Sequence, residues 1–174
     1  MILLALTAAA ALDPGPADAA GPLAPARSGQ VQCYRPDRAR KTCRSLAAYR
    51  AAPGGDYVNA ATIPISPDGV VTLTTETPVR VVAGAVCGAL RAEDVARGTV
   101  IAGGTAVPPE QAAPLLAQIA DLMSGLIGRQ ICTRYEAAPA GDLLARVTID
   151  GAEQPEATQS VAWVGADEGY RIAP

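Results

Sequence analysis

The sequence predicts an α+β domain: a mostly antiparallel sheet of short hairpins packed around one long amphipathic helix and stapled by disulfides. Three observations predict it. Short β-branched runs alternate with Pro/Gly turns, one segment repeats apolar residues at the helical period, and four cysteines stand behind an apolar leader.

Residues 1–19 read as a secretory signal peptide. Ile2 to Leu12 is an uncharged apolar run, too short for a bilayer span of about 20 residues but suited to a signal core of about 7–15. Pro14, Gly15 and Pro16 break it, and Ala17-Asp18-Ala19 is a small-residue cleavage pattern that puts the mature start at Ala20. Residues 20–29 are rich in Pro and Ala and read as a flexible lead-in to a single domain over 30–174. No later segment approaches membrane-span length, so the mature chain is expected to lack a transmembrane segment and to be periplasmic or secreted.

Within the domain, Gln30–Tyr34 alternates as a strand and Arg35-Pro36-Asp37 opens a turn. Thr42–Arg50 is read as the returning strand, which sets Cys33 opposite Cys43 across a hairpin. Tyr57–Ile65 is extended, and Pro67-Asp68-Gly69 is a turn. Val70–Glu76 and Val79–Val86 are two β-branched strands, separated by a bend at Pro78. Arg91–Arg97 makes two helical turns, and Gly103-Gly104 joins Thr99–Ala102 to Thr105–Val107 as a two-residue hairpin.

The main helix carries Leu115, Leu116, Ile119, Leu122, Met123, Leu126 and Ile127 on one stripe. It is expected to start between Glu110 and Pro114, because a late start avoids an internal proline, and to end at Gly125 or Gly128. Gln130–Glu136, Leu143–Ile149 and Ser160–Val164 are strands, Gly165–Gly169 a turn and Tyr170–Ile172 a short closing strand.

Four cysteines allow three pairings. Cys33–Cys43 closes a local hairpin, and Cys87–Cys132 encloses the helix, so these two are expected. The gaps between cysteines are far longer than the two to four residues typical of zinc ligand pairs, and no C-x-x-C occurs. No metal site and no cofactor are therefore predicted.

Composition narrows the chemistry. With no histidine in 174 residues, Ser-His-Asp and Cys-His catalysis are excluded. The only lysine, Lys41, lacks the S-x-x-K spacing of a Ser-Lys enzyme, and Gly103-Gly104 lacks the residues of a phosphate loop. Glu93-Asp94 and Asp167-Glu168 are adjacent carboxylates, whereas a carboxylate-pair hydrolase needs two facing each other across a cleft. No catalytic residue is predicted.

The net charge is −3, but it is polarised. Arg35, Arg38, Arg40, Lys41 and Arg44 form a basic segment, while acidic residues outnumber basic ones two to one from Ala51 onward. This segment is the candidate binding site, for an acidic envelope component or an acidic protein. Only Tyr34 and Tyr49 flank it, so nucleic acid is not expected. The competing reading is a solvated turn that faces the chain's own acidic remainder.

The stretches CYRPDRARKTCRSLAAY (Cys33 to Tyr49), PPEQAAPLLAQI (Pro108 to Ile119) and ICTRYE (Ile131 to Glu136) together resemble small exported alphaproteobacterial proteins of unknown function. The resemblance implies export and the cysteine framework and carries over no catalytic residue. The expected function is thus an exported, non-catalytic domain with a structural or binding role, one form being an inhibitor-like module that presents the basic hairpin. The alternative is a carboxylate-dependent hydrolase of envelope polymers.

Overall fold

A computed structural model describes residues 21–173. The predicted signal segment lies outside the described residues. The chain builds strands β1 (Gln30–Tyr34), β2 (Thr42–Cys43), β3 (Ser45–Ala51), β4 (Tyr57–Pro64), β5 (Val71–Val82) and β6 (Ala85–Ala89). Helix α1 (Ala92–Ala96) follows, then β7 (Thr99–Ala102), β8 (Thr105–Ala106) and helix α2 (Pro109–Leu122). The chain ends with β9 (Gln130–Ala137), β10 (Leu143–Ile149), β11 (Ala152–Glu153), β12 (Gln159–Gly165) and β13 (Arg171–Ile172).

The architecture corrects the prediction of a sheet packed around a long helix. The strands run β4-β3-β1-β12-β10-β9-β6-β5, and β5 pairs back onto β4, closing an antiparallel barrel of 8 strands. Each barrel strand neighbours the one before and after it along the chain, and β12 returns to β1, so the barrel is an up-and-down meander. The helix does not form its centre. The reason lies in the pairing: β5 closes onto β4 and β12 onto β1, so the inner faces meet across a closed lumen and leave no open sheet face for a helix to cover.

Several elements form where their sequence patterns place them. Gln30–Tyr34 and Leu143–Ile149 are strands with those bounds, and Gly103-Gly104 turns a two-residue hairpin with both φ positive. Val71–Val82, however, runs straight through Pro78 as one strand. On the edge away from β4, β5 pairs β7 up to Thr74 and β6 from Val79 onward. Pro78, which has no N–H, stands in the unpaired gap between them, so the strand loses no ladder bond there. The strand read as Val79–Val86 instead folds back at Ala83-Gly84, a two-residue turn with φ of 48° and 78°.

Helix α2 starts at Pro109 and includes Pro114, ending before either glycine. Its stripe is real but narrower than predicted: Ala112 and Leu116 are buried against Leu73 and Val100, with Ile119 beside them, while Leu122 is exposed. The helix thus packs on the extension made by β5, β7 and β8, at one end of the barrel. At the opposite end, the Pro/Ala-rich stretch before β1 turns as a 3-10 helix over Ala24–Ser28 and inserts Leu23, 1% exposed, beside Ala47, Tyr49, Val79 and Val86.

Both expected disulfides are present, Cys33–Cys43 and Cys87–Cys132. Cys33 does not face Cys43 across a hairpin, as predicted; its partner in the ladder is Leu46. Cys43 belongs instead to β2, which pairs in parallel with β13, and the bridge ties this small layer to the outside of the barrel. Cys87 and Cys132 are direct partners in the β6–β9 ladder.

Candidate functional site: the barrel lumen

Antiparallel partners place their side chains on the same face of a sheet. Following the register around the barrel, Gln32 and Tyr34 of β1 share the inner face with Ala47 and Tyr49 of β3, Asn59 of β4 and Thr77 of β5. The other half of the wall adds Val86, Thr133 and Tyr135. The intervening residues, Cys33, Cys87 and Cys132 among them, point outward. The disulfides therefore brace the wall without entering the lumen.

The lumen holds a hydrogen-bonded cluster. Gln32, 0% exposed, has its Oε1 facing three phenols: Tyr34 at 3.0 Å, Tyr49 at 3.1 Å and Tyr135 at 2.9 Å. The hydroxyls of Tyr34 and Tyr135 are 2.9 Å apart, and those of Tyr49 and Tyr135 3.3 Å. Tyr49 also stacks at a tilt against Trp163, with ring centroids 6.3 Å apart. Burial pushes the Tyr34 and Tyr49 phenols well above the ordinary tyrosine range, and the neighbouring Tyr135 adds to the shift.

Above this cluster the lumen is empty over about 260 Å³. Tyr34, Tyr49 and Tyr135 form its polar floor, Asn59 and the threonines of β5 and β9 its sides, and Ile63, Leu90 and Met123 its rim. Ile63 is 37% exposed, which marks the open end. Met123 sits there because it caps the C-terminus of α2, so the helix frames the mouth. A barrel of this strand number has an interior just wide enough to be filled by side chains or to hold one small ligand. Small residues at Ala61 and Gly88, in place of large apolar ones, leave this lumen part-empty.

The predicted basic site is arranged differently. Arg38 makes a bidentate pair with Asp142, Nη1 to Oδ2 at 3.1 Å, and this pairing raises the Arg38 pKa. Arg40 Nε binds Asp37 Oδ2 at 2.7 Å, and Lys41 Nζ donates to the Glu168 carbonyl at 2.9 Å. Arg35 and Arg44 have no ion pair among the described residues. Arg38 and Lys41 thus fasten the β1–β2 turn to the β9–β10 and β12–β13 loops, while Arg40 closes the turn on itself.

The adjacent carboxylates do not converge. Asp94, 0% exposed at its side chain, is held by Arg91 Nη2 at 2.6 Å and Arg97 Nη2 at 3.3 Å, while Glu93 pairs with Arg91 on the surface. Burial raises the Asp94 carboxyl, but the Arg91 donors and Arg97 outweigh it, and the net pKa is lowered. Glu168 Oε1 accepts the Gly165 N–H at 2.7 Å and lies elsewhere. Among the described residues no group of three or more His, Cys, Asp or Glu is placed to hold a metal ion, and no helix is long and apolar enough to cross a membrane.

The tyrosine cluster was not singled out in the sequence. Alternation in Gln30–Tyr34 carries no signal for it, because Gln32 and Cys33, on opposite faces of the strand, are both buried. No family model, no curated protein and no solved structure matches this chain.

Proposed function

We propose that the protein is an exported, non-catalytic binding module whose working part is the barrel lumen, which takes one small ligand through the mouth framed by Met123. The cavity supports this reading most directly: it is open at one end, apolar at its rim, and has a preorganised polar floor. Export is supported by the two disulfides, which persist in oxidising compartments. The absence of histidine from the sequence and the separation of Asp94 from Glu168 favour binding over carboxylate-dependent hydrolysis. The inhibitor-like variant built on the basic hairpin has less support, because Arg38, Arg40 and Lys41 are engaged within the molecule.

A cavity-filling variant tests the proposal. Ala61 lines the lumen, and Ala61→Leu adds volume there. A panel of small neutral amphiphiles, followed by ligand-observed NMR, is expected to show saturable binding to the wild type and little to Ala61→Leu. The variant should retain the wild-type circular dichroism. Failure of the whole panel to bind, or binding undiminished by the substitution in a folded variant, would overturn the reading.

A further inference from the structure

We infer that the lumen takes a small uncharged alcohol, held with its hydroxyl inward against the tyrosine cluster; this rests on the reading of the lumen as the binding site. Among the described residues no Asp, Glu, Lys or Arg lines the cavity. A carboxylate, phosphate or ammonium entering it would leave water without a counter-charge, at a cost of several kcal/mol per ion. The ligand is therefore neutral.

Five contacts join Gln32 Oε1 and the three phenol oxygens, at 3.0, 3.1, 2.9, 2.9 and 3.3 Å. Each phenol carries one hydrogen, and the Gln32 oxygen carries none. With the amide oxygen turned to the phenols, as it is here, every phenolic hydrogen has an acceptor inside the cluster. What remains toward the cavity is lone pairs. A ligand that can only accept must break an internal bond to gain one, whereas a ligand that donates gains a bond at no such loss.

Gln32 Nε2 is buried without a partner, and Gln32 is not among the residues that line the cavity, so this donor does not meet the ligand. The inner end of the lumen is thus an acceptor surface. A hydroxyl suits it: its hydrogen goes to a phenol oxygen, and Thr75, Thr77 and Thr133 line the cavity beside it. At about 30 Å³ per water-sized group, the volume admits on the order of ten non-hydrogen atoms.

A matched series of probes tests this on the full mature protein: 2-phenylethanol, acetophenone, phenylacetate and 2-phenylethylammonium, each with about nine or ten non-hydrogen atoms. The alcohol is expected to bind about tenfold more tightly than the ketone, as one added hydrogen bond implies, and more tightly still than either ion. In Tyr135→Phe, which keeps the ring and removes the central hydroxyl, alcohol affinity should fall several-fold while ketone affinity stays level. Equal or tighter binding of the ketone, the carboxylate or the ammonium would overturn the inference while leaving the lumen a binding site. An equal loss for alcohol and ketone in Tyr135→Phe would also overturn it. Absence of binding by all four probes and by the wider panel would take down the binding reading itself.

Discussion

The phenol oxygens of Tyr34 and Tyr135 lie 2.9 Å apart, although 101 residues separate them in the chain. Their strands, β1 and β9, share no ladder, so the two hydroxyls meet across the lumen. The contact joins opposite walls of the barrel, and it places polar groups where an eight-stranded barrel would otherwise be filled with aliphatic side chains.

That arrangement makes stability sensitive to alkali. Burial, with Tyr135 close by, raises the Tyr34 and Tyr49 pKa above the unfolded value of about 10. The folded state then holds its phenolic protons more tightly than the unfolded chain. The stabilisation is complete below about pH 10 and is lost as pH rises beyond it. Tyrosinate absorbance and circular dichroism should therefore change together above pH 10 for these two residues. Ionisation of all five tyrosines at the ordinary pH in a still-folded protein would contradict this. Tyr49→Phe should lower stability by about 1 kcal/mol and weaken the alkaline transition.

At the acid end the Asp94 cluster acts with the opposite sign. Its lowered pKa means that its contribution is present above about pH 4 and is lost as pH falls through the folded value. Asp94→Asn removes the charge while leaving the side chain's shape, and should cost about 1–3 kcal/mol at neutral pH. The cost should shrink toward low pH, where wild-type Asp94 is itself protonated. Denaturant melts at neutral and acid pH check both statements.

The two disulfides should differ in worth. By loop closure alone, Cys33–Cys43, with a separation of 10, contributes about 3 kcal/mol, and Cys87–Cys132, with a separation of 45, about 4 kcal/mol. Replacing each pair by serine and comparing denaturant midpoints should rank them in that order. Loss of the second pair should also loosen the mouth, since α1 and α2 lie within its loop.

Backbone conformation yields a gain as well as a loss. Ala83 sits at φ of 48°, where an L side chain is disfavoured, so Ala83→Gly should stabilise the β5–β6 turn by about 0.5–1 kcal/mol. Gly88→Ala should do the reverse. A Cβ there would lie 2.8 Å from both the Pro78 carbonyl oxygen and Val79 Cγ1, and overpacking of this kind costs about 1–3 kcal/mol. Thermal melts of the two variants should move in opposite directions.

Local signals in the chain were strong and global ones weak. Alternation in Leu143–Ile149 and the paired glycines at Gly103-Gly104 state their own conformation, because side-chain period and φ are properties of a few adjacent residues. Asp150-Gly151 carries the same kind of turn, with φ of 50° and 82°, and joins β10 to β11. Barrel closure has no such local mark: the ladder of β4 on β5 and that of β12 on β1 are decided by which edges remain open once the other strands have paired. The α2 stripe misled for a related reason. Its periodicity specifies a buried face without saying whether a sheet's flank or a barrel's end will cover it. The lumen cluster was hidden because its members are spread over β1, β3 and β9, and only the register brings them together.

Closure by β12 has a consequence for the chain before it is complete. One seven-residue strand pairs β1 through five positions and β10 through three. Until Gln159–Gly165 is in place, the curled sheet has two exposed edges, the hazard that closed barrels avoid. A single late segment seals both. A chain stopped before Gln159 would thus be a strand acceptor on two sides, open to other copies of itself or to a free peptide with the β12 sequence.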